Sequence, residues 1–281
     1  MPALDTLIDP LREQFMQRAL LEMTLIAIPA GILGCWVLFY RAAYAAESLA
    51  HALFPGLVVA ALAGIPLLAG GTPGIILAAI MIALIARVPG IEQDTAVAVV
   101  VTGLFGLGAL LALSPASPPG VQGLLFGDIL GASDSDLILA GSLALVVLVA
   151  LRFLHGRLLV AGFDPGSARS LGVSPTLADA AVLVLLAATV LVAVQGLGNL
   201  LVVAVVIGPA AAARLLTDRM VPMMGTSVAI AIAAGVSGLY LSYYAGTAAG
   251  ASIAGCLVGF YLLAGGASPL REAAWPRASI G

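Results

Sequence analysis

Apolar stretches long enough to cross a bilayer recur along this chain from about Leu20 to Ala264, separated by Pro, Gly and polar intervals. A helical span needs about 20 apolar residues, and eight or nine segments approach that length. Inside lipid, every backbone N–H and C=O must be satisfied within its own segment or in a closed barrel. The pattern therefore predicts an all-α, polytopic integral membrane protein. Composition agrees: 62% of the 281 residues are hydrophobic, 9% are charged, and the mean hydropathy is +1.17, against about a quarter charged in soluble domains. The spans leave no room for a soluble domain, so residues 1–281 read as a single transmembrane unit. Residues 1–19 form an amphipathic lead-in, and residues 265–281 form a solvated tail.

The first apolar run has acids and two Arg before it rather than a basic start, and so reads as a retained span, not a cleaved signal. Spans are expected near Leu20–Tyr40, Ser48–Leu68, Pro73–Ala86, Thr95–Leu113, Leu137–Leu151, Ala180–Val194, Leu200–Ala213, Val221–Tyr243 and Ala251–Ala264. The count falls to eight if the short third segment does not cross. Ser114–Gly120 is a breaker cluster, and Val121–Gly131 reads as a short surface or re-entrant helix. Arg152–Asp179 is a long polar interval. All eleven basic residues are Arg. Placing 152–179 in the cytoplasm puts Arg41, Arg87, Arg214, Arg219, Arg271 and Arg277 on the same side, as the positive-inside rule requires. The opposite side receives turns near 70–72, 195–199 and 244–250 and the 114–134 loop. No basic patch suits nucleic acid, and Cys35 and Cys256 read as small core residues.

Ionisable groups are rare enough that each needs a reason. Glu47 and His51 lie four residues apart, which on a helix places them on one face. Counting upward from Arg41 at ~1.5 Å per residue puts them about 9 and 15 Å into a ~30 Å hydrocarbon core. A carboxylate there costs on the order of 3 kcal/mol on insertion scales, so it must face protein or water. An imidazole and a carboxylate suit a borderline divalent metal, and a second copy across a two-fold axis would complete four ligands. The same pair could instead hydrogen-bond each other or a neighbouring helix; the residues leave both open. Glu22 reads as interfacial, Asp128 as an outer-loop acid that caps or gates, Gln195 and Asn199 as parts of an outer turn, and His155 as interfacial. No phosphate-cradling Gly-Lys-Ser/Thr loop and no His-Glu-x-x-His helix is present, so no ATPase or protease centre is expected.

Arg41…Glu47-Ser-Leu-Ala-His51-Ala-Leu-Phe-Pro55-Gly56 resembles the Arg…Asp-x-x-x-His-x-x-x-Pro-Gly signature of the zinc/manganese/iron permeases of ATP-binding-cassette importers. Leu125–Leu130 resembles that family's outer-loop segment. Phe163-Asp164-Pro165…Ala168…Leu171-Gly172-Val173 resembles its ATPase-docking segment, and Gly198–Ala213 and Gly250–Ile253 resemble late-span motifs. The resemblance implies a type II importer permease in the inner membrane. It would work as a homodimer with a separate cytoplasmic ATPase and an extracytoplasmic metal-binding protein. It implies Glu47 and His51 as transient ligands for the transported Zn²⁺, Mn²⁺ or Fe²⁺, coupling through 157–178, and no permanently bound cofactor. Glu47 stands where the family usually has Asp. A permease for a metal chelate and an ATP-independent secondary transporter are the rival readings; the inverted repeats frequent in the latter are not evident.

Overall fold

The computed structural model describes residues 9–85, 88–90, 93–115, 117, 121 and 123–274. Among them the regular structure is entirely helical: α1 (Gln14–Phe39), α2 (Ala43–Ala63), α3 (Leu67–Ile85), α4 (Gln93–Ala112), α5 (Gly123–Phe126), α6 (Asp134–Phe163), α7 (Pro165–Ser170), α8 (Pro175–Leu216), α9 (Met220–Ala245) and α10 (Ala249–Ala274), with a 3₁₀ turn at Ile129–Gly131. Seven of these helices are long and apolar enough to cross a membrane, and Ala69–Ile82 within α3 is a shorter apolar helix.

The 42-residue α8 is not one rod. Gly198 has φ 76° and ψ 160°, a conformation open essentially to glycine alone, and the chain doubles back there. Leu158 of α6 and Ala178 near the start of α8 line one cavity, and the Tyr40 hydroxyl at the end of α1 donates to the Leu158 carbonyl at 2.8 Å. Farther along α8, Gly196 lies against Glu22, early in α1. Beyond the bend, Gly34 of α1 packs on Val206 and Ala210, and Arg214 shares a cavity with Phe39. The path thus runs from the Tyr40 end to the Glu22 end and back. With α3 running antiparallel beside α2 and α8 counted as two arms, nine long helical segments among the described residues run along the bundle.

Several boundaries differ from the sequence reading, for one physical reason. Hydropathy marks what lies in lipid, whereas a helix ends where its caps are. The second span starts at Ala43 rather than Ser48 and stops at Gly64, whose φ of 66° gives a left-handed cap. The expected turn at 70–72 therefore lies inside α3. The fifth span, expected to end at Leu151, continues to Phe163 as a 30-residue helix. At ~1.5 Å per residue α6 is about 45 Å long, so its last ten residues or so project beyond a ~30 Å core. Arg152 and Arg157 ride on that projection instead of in a loop, and His155 packs edge-on against Trp36 at 5.4 Å. The expected tail is likewise helical as far as Ala274; residues 275–281, Arg87, most of the 114–120 cluster and the first eight residues of the lead-in lie outside the described residues.

Two joints matter for the site. Between α1 and α2, Arg41 has φ 56°, unusual for a side chain larger than glycine. The Ala42 amide donates to the Val37 carbonyl at 2.8 Å, closing the end of α1. Glycine would relax this turn, but it would remove the cation from the membrane boundary. Between α6 and α8, Asp164 both ends α6 and caps α7: its Oδ1 accepts from the Gly166 and Ser167 amides at 2.9 and 3.1 Å, and the Ser167 hydroxyl donates to Oδ2. Pro165 occupies the first helical position, where its missing N–H costs nothing. Gly172, with φ 74°, then turns the chain into α8.

Candidate functional site

Helix α2 starts at Ala43, so Glu47 and His51 stand about one and two turns above its origin. Tyr44, Glu47, Ser48 and His51 form a stripe at spacings of three and four along α2. Tyr44 and Glu47 are exposed on this single chain, and Ser48 and His51 are half-buried. Among the described residues no hydrogen bond joins Glu47 to His51. The imidazole is engaged elsewhere. Phe105 of α4 packs against it at 4.6 Å between ring centres, and Asn199, just past the bend of α8, places Nδ2 3.2 Å from His51 Nδ1.

Asn199 sits at the turn that the sequence reading expected, but the turn is not solvated. Gly196, Leu197, Gly198 and Asn199 are all buried, because the 123–131 segment folds down over the bend. Val121, Leu124, Leu125 and Ile129 are buried with it, which accords with the re-entrant alternative. Gly127, at φ 80°, lies so close to the bend that a Cβ there would overlap backbone atoms of Gly196, Leu197 and Gly198. Asn199 itself has no exposed surface, and its Oδ1 is buried without a hydrogen-bond partner. No local sequence signal pairs it with a histidine 148 positions away.

Asp128 accepts from the Gly131 amide at 3.2 Å and so caps the 3₁₀ turn. It also lines a cavity of about 230 Å³ with Glu22, Asp136 and Gln195, on the far side of the bend from His51. Glu22 is only 3% exposed and so faces the bundle interior rather than solvent. Of the docking-segment residues, Ala168 is buried, while Phe163 and Leu171 are 76% and 69% exposed. Asp164 is solvated, and its hydrogen bonds from Ser167 and Gly166 hold its carboxyl below the ordinary carboxylate range. Among the described residues no three His, Cys, Asp or Glu side chains converge closely enough to hold a metal. One chain thus presents one carboxylate and one imidazole, Glu47 and His51, on an open face, as many groups as half of a tetrahedral ligand set or a third of an octahedral one.

The sequence profile of the ABC 3 transport family matches residues 12–266. The chain is 32% identical over 267 residues to a protein of Haemophilus influenzae named "Probable iron transport system membrane protein", covering 95% of this chain and 98% of that one. It is 31% identical over 257 residues to the manganese import system permease protein ScaB of Streptococcus parasanguinis, covering 91% and 92%. Among solved structures, PsaBC from Streptococcus pneumoniae in complex with Fab superposes with a TM-score of 0.86 at 28% identity, covering 94% of this chain and 95% of that one. A metal-chelate type ABC transporter in an inward-facing conformation shares the fold more distantly, with a TM-score of 0.58 at 15% identity over 92% and 84% of the two chains.

Proposed function

Since the chain belongs to the ABC 3 transport family, we propose that it is the permease of an ATP-driven importer, carrying Mn²⁺ inward between two copies of itself. The observation that carries this reading is the open stripe of α2, with Glu47 exposed and His51 held from behind by Asn199. A carboxylate on a lipid-facing surface is expensive. A second copy of α2 packed on this stripe removes Glu47 from lipid and doubles the ligands to two carboxylates and two imidazoles. Oxygen and imidazole donors without thiolate suit Mn²⁺ or Fe²⁺, and manganese and iron are the metals named for the relatives above. An extracytoplasmic metal-binding protein supplies the ion, and a cytoplasmic ATPase supplies the energy.

Asn199 gives the site its orientation. A histidine that binds metal through Nε2 carries its proton on Nδ1 and donates it to a fixed acceptor. The Asn199 amide turns Nδ2 toward Nδ1; half a turn about its last side-chain bond presents Oδ1 there instead. The two arrangements hold opposite tautomers, and a metal bound at Nε2 favours the second. Asn199→Leu is expected to weaken Mn²⁺ binding at this site 10- to 100-fold, the usual effect of losing an outer partner. Asn199→Asp, which still accepts from Nδ1–H, is expected to retain most of it. Mn²⁺ titration of the assembled importer checks the pair, and equal loss in both variants would mean that Asn199 only supports the fold.

The α7 segment carries the ATPase stroke. It is short, capped at both ends and set between two long helices, and the exposed Phe163 and Leu171 flank it as apolar knobs. Asp164→Ala is expected to fray α7 and cut ATP-driven uptake several-fold while leaving metal binding unchanged. The pH dependence follows from the depressed carboxyl: the cap is complete above the ordinary carboxylate range and fails as pH falls through the lower folded value. Uptake by proteoliposomes with a varied cytoplasmic-side pH measures this. Wild-type uptake from Asp164→Ala would remove α7 from the coupling path. Competition by metal chelates, and dependence on ATP, separate this reading from its two rivals.

A further inference from the structure

The outer cavity contains a buried acid with no assigned task. Glu22 is 97% buried by its 3% exposure, and its Oε2 has no hydrogen-bond partner. The walls of the cavity are Glu22, Asp128, Asp136, Gln195 and apolar or glycine residues, with no basic side chain among them. Arg18, one turn before Glu22 on α1, is drawn away to Asp134 at 2.8 Å. Asp128 and Asp136 are partly engaged as caps, of the 3₁₀ turn and of α6. A buried carboxylate left this way costs several kcal/mol unless a proton or a cation meets it, and three acids around one small cavity make a cation the better match. The floor of the cavity is Gln195 and Gly196, three residues before Asn199.

We infer that this cavity is an entry station for a divalent cation on its way to His51, with Glu22 as the one inner carboxylate ligand. Gln195 adds an amide oxygen, water fills the remaining positions, and Asp128 and Asp136 supply outer charge. That accords with the lack of a converging triad: a transit site keeps most of its hydration and binds weakly. Its donors are all oxygen, which suits Mn²⁺, Ca²⁺ or Mg²⁺ and discriminates little among them. Selection falls to the imidazole below. The bend at Gly198, clamped by Gly127, is the partition between the two stations.

The inference rests on the metal-import reading, and one experiment separates their failures. Free Mn²⁺ is counted by electron paramagnetic resonance as the complete importer in nanodiscs is titrated with Mn²⁺ alone, without the binding protein. Wild type is expected to show two classes of site. His51→Ala should lose one and keep the other, and the His51→Ala, Glu22→Gln double variant should lose both. Equal binding by the single and double variants would overturn the role of Glu22 and leave the His51 site standing. No loss from His51→Ala would instead overturn the import reading. Glu22→Asp, which keeps the charge but withdraws it by one methylene, provides a second variant should the Gln chain not assemble. It is expected to weaken the His51-independent class at least tenfold, and unchanged affinity would equally overturn the inference.

Discussion

His51→Ala is expected to abolish Mn²⁺ uptake while the assembled importer still hydrolyses ATP. The imidazole is the single nitrogen donor that each chain brings to the open stripe of α2, and its removal leaves carboxylate and water. The loss should exceed the 10- to 100-fold typical of outer-partner changes, because a ligand itself is gone. The cost to the fold is limited: Phe105 loses a ring contact and the Asn199 amide loses its partner, about 1–3 kcal/mol for a buried polar group left unpaired. In the proposed importer ATP is hydrolysed on a separate ATPase subunit, away from the Glu47–His51 stripe, so hydrolysis is expected to persist. Radioactive Mn²⁺ uptake and phosphate release, measured on the same proteoliposomes, give the test. Import at the normal rate would mean that Glu47 and His51 are not the conducting pair.

Gly127→Ala is expected to prevent recovery of the folded chain, although the change adds a single methyl group. Two costs combine. At φ 80° an L-residue is strained by about 1–2 kcal/mol. The new Cβ would also overlap backbone atoms of the α8 bend, coming within 2.6 Å of the Gly198 nitrogen. Backbone cannot swing aside as a side-chain tip can, and overpacking of this kind typically adds about 1–3 kcal/mol. Gly123→Ala is the control, since a Cβ there meets nothing within 4 Å. The yield of monodisperse complex after detergent extraction, and its thermal midpoint, should fall sharply for the first variant and stay near wild type for the second. Equal yields would mean that the 123–131 segment does not clamp the bend.

Much of the fold was legible because lipid imposes a simple rule. A helix must satisfy its own backbone there, so apolar length predicts passes, and the Arg pattern predicts their direction. Glu47 and His51 stood out for the same reason: ionisable groups in an apolar chain need a purpose. Less legible were the ends. Ala43–Ala46 is good helix-forming sequence, but it lay outside the hydropathy window that began at Ser48. Phe153–Phe163 extends α6 because Leu158 and Ala161 stay packed against the bundle there, which a hydropathy window does not register.

The site divided along the same line. Read by itself, the sequence determined the all-helical membrane class, an expectation of eight or nine passes, and the placing of Glu47 and His51 on one face of α2, since each follows from local spacing and from the cost of polarity in lipid. Only the tertiary structure decided that the Gln195–Asn199 turn is buried beneath the 123–131 segment. It likewise decided that Asn199 supports His51 and that Glu22 is a buried acid facing Asp128 and Asp136. These are meetings of residues far apart in the chain, and they depend on how helices pack. Gly198 and Gly127 set that packing through backbone conformations that glycine permits but does not by itself announce.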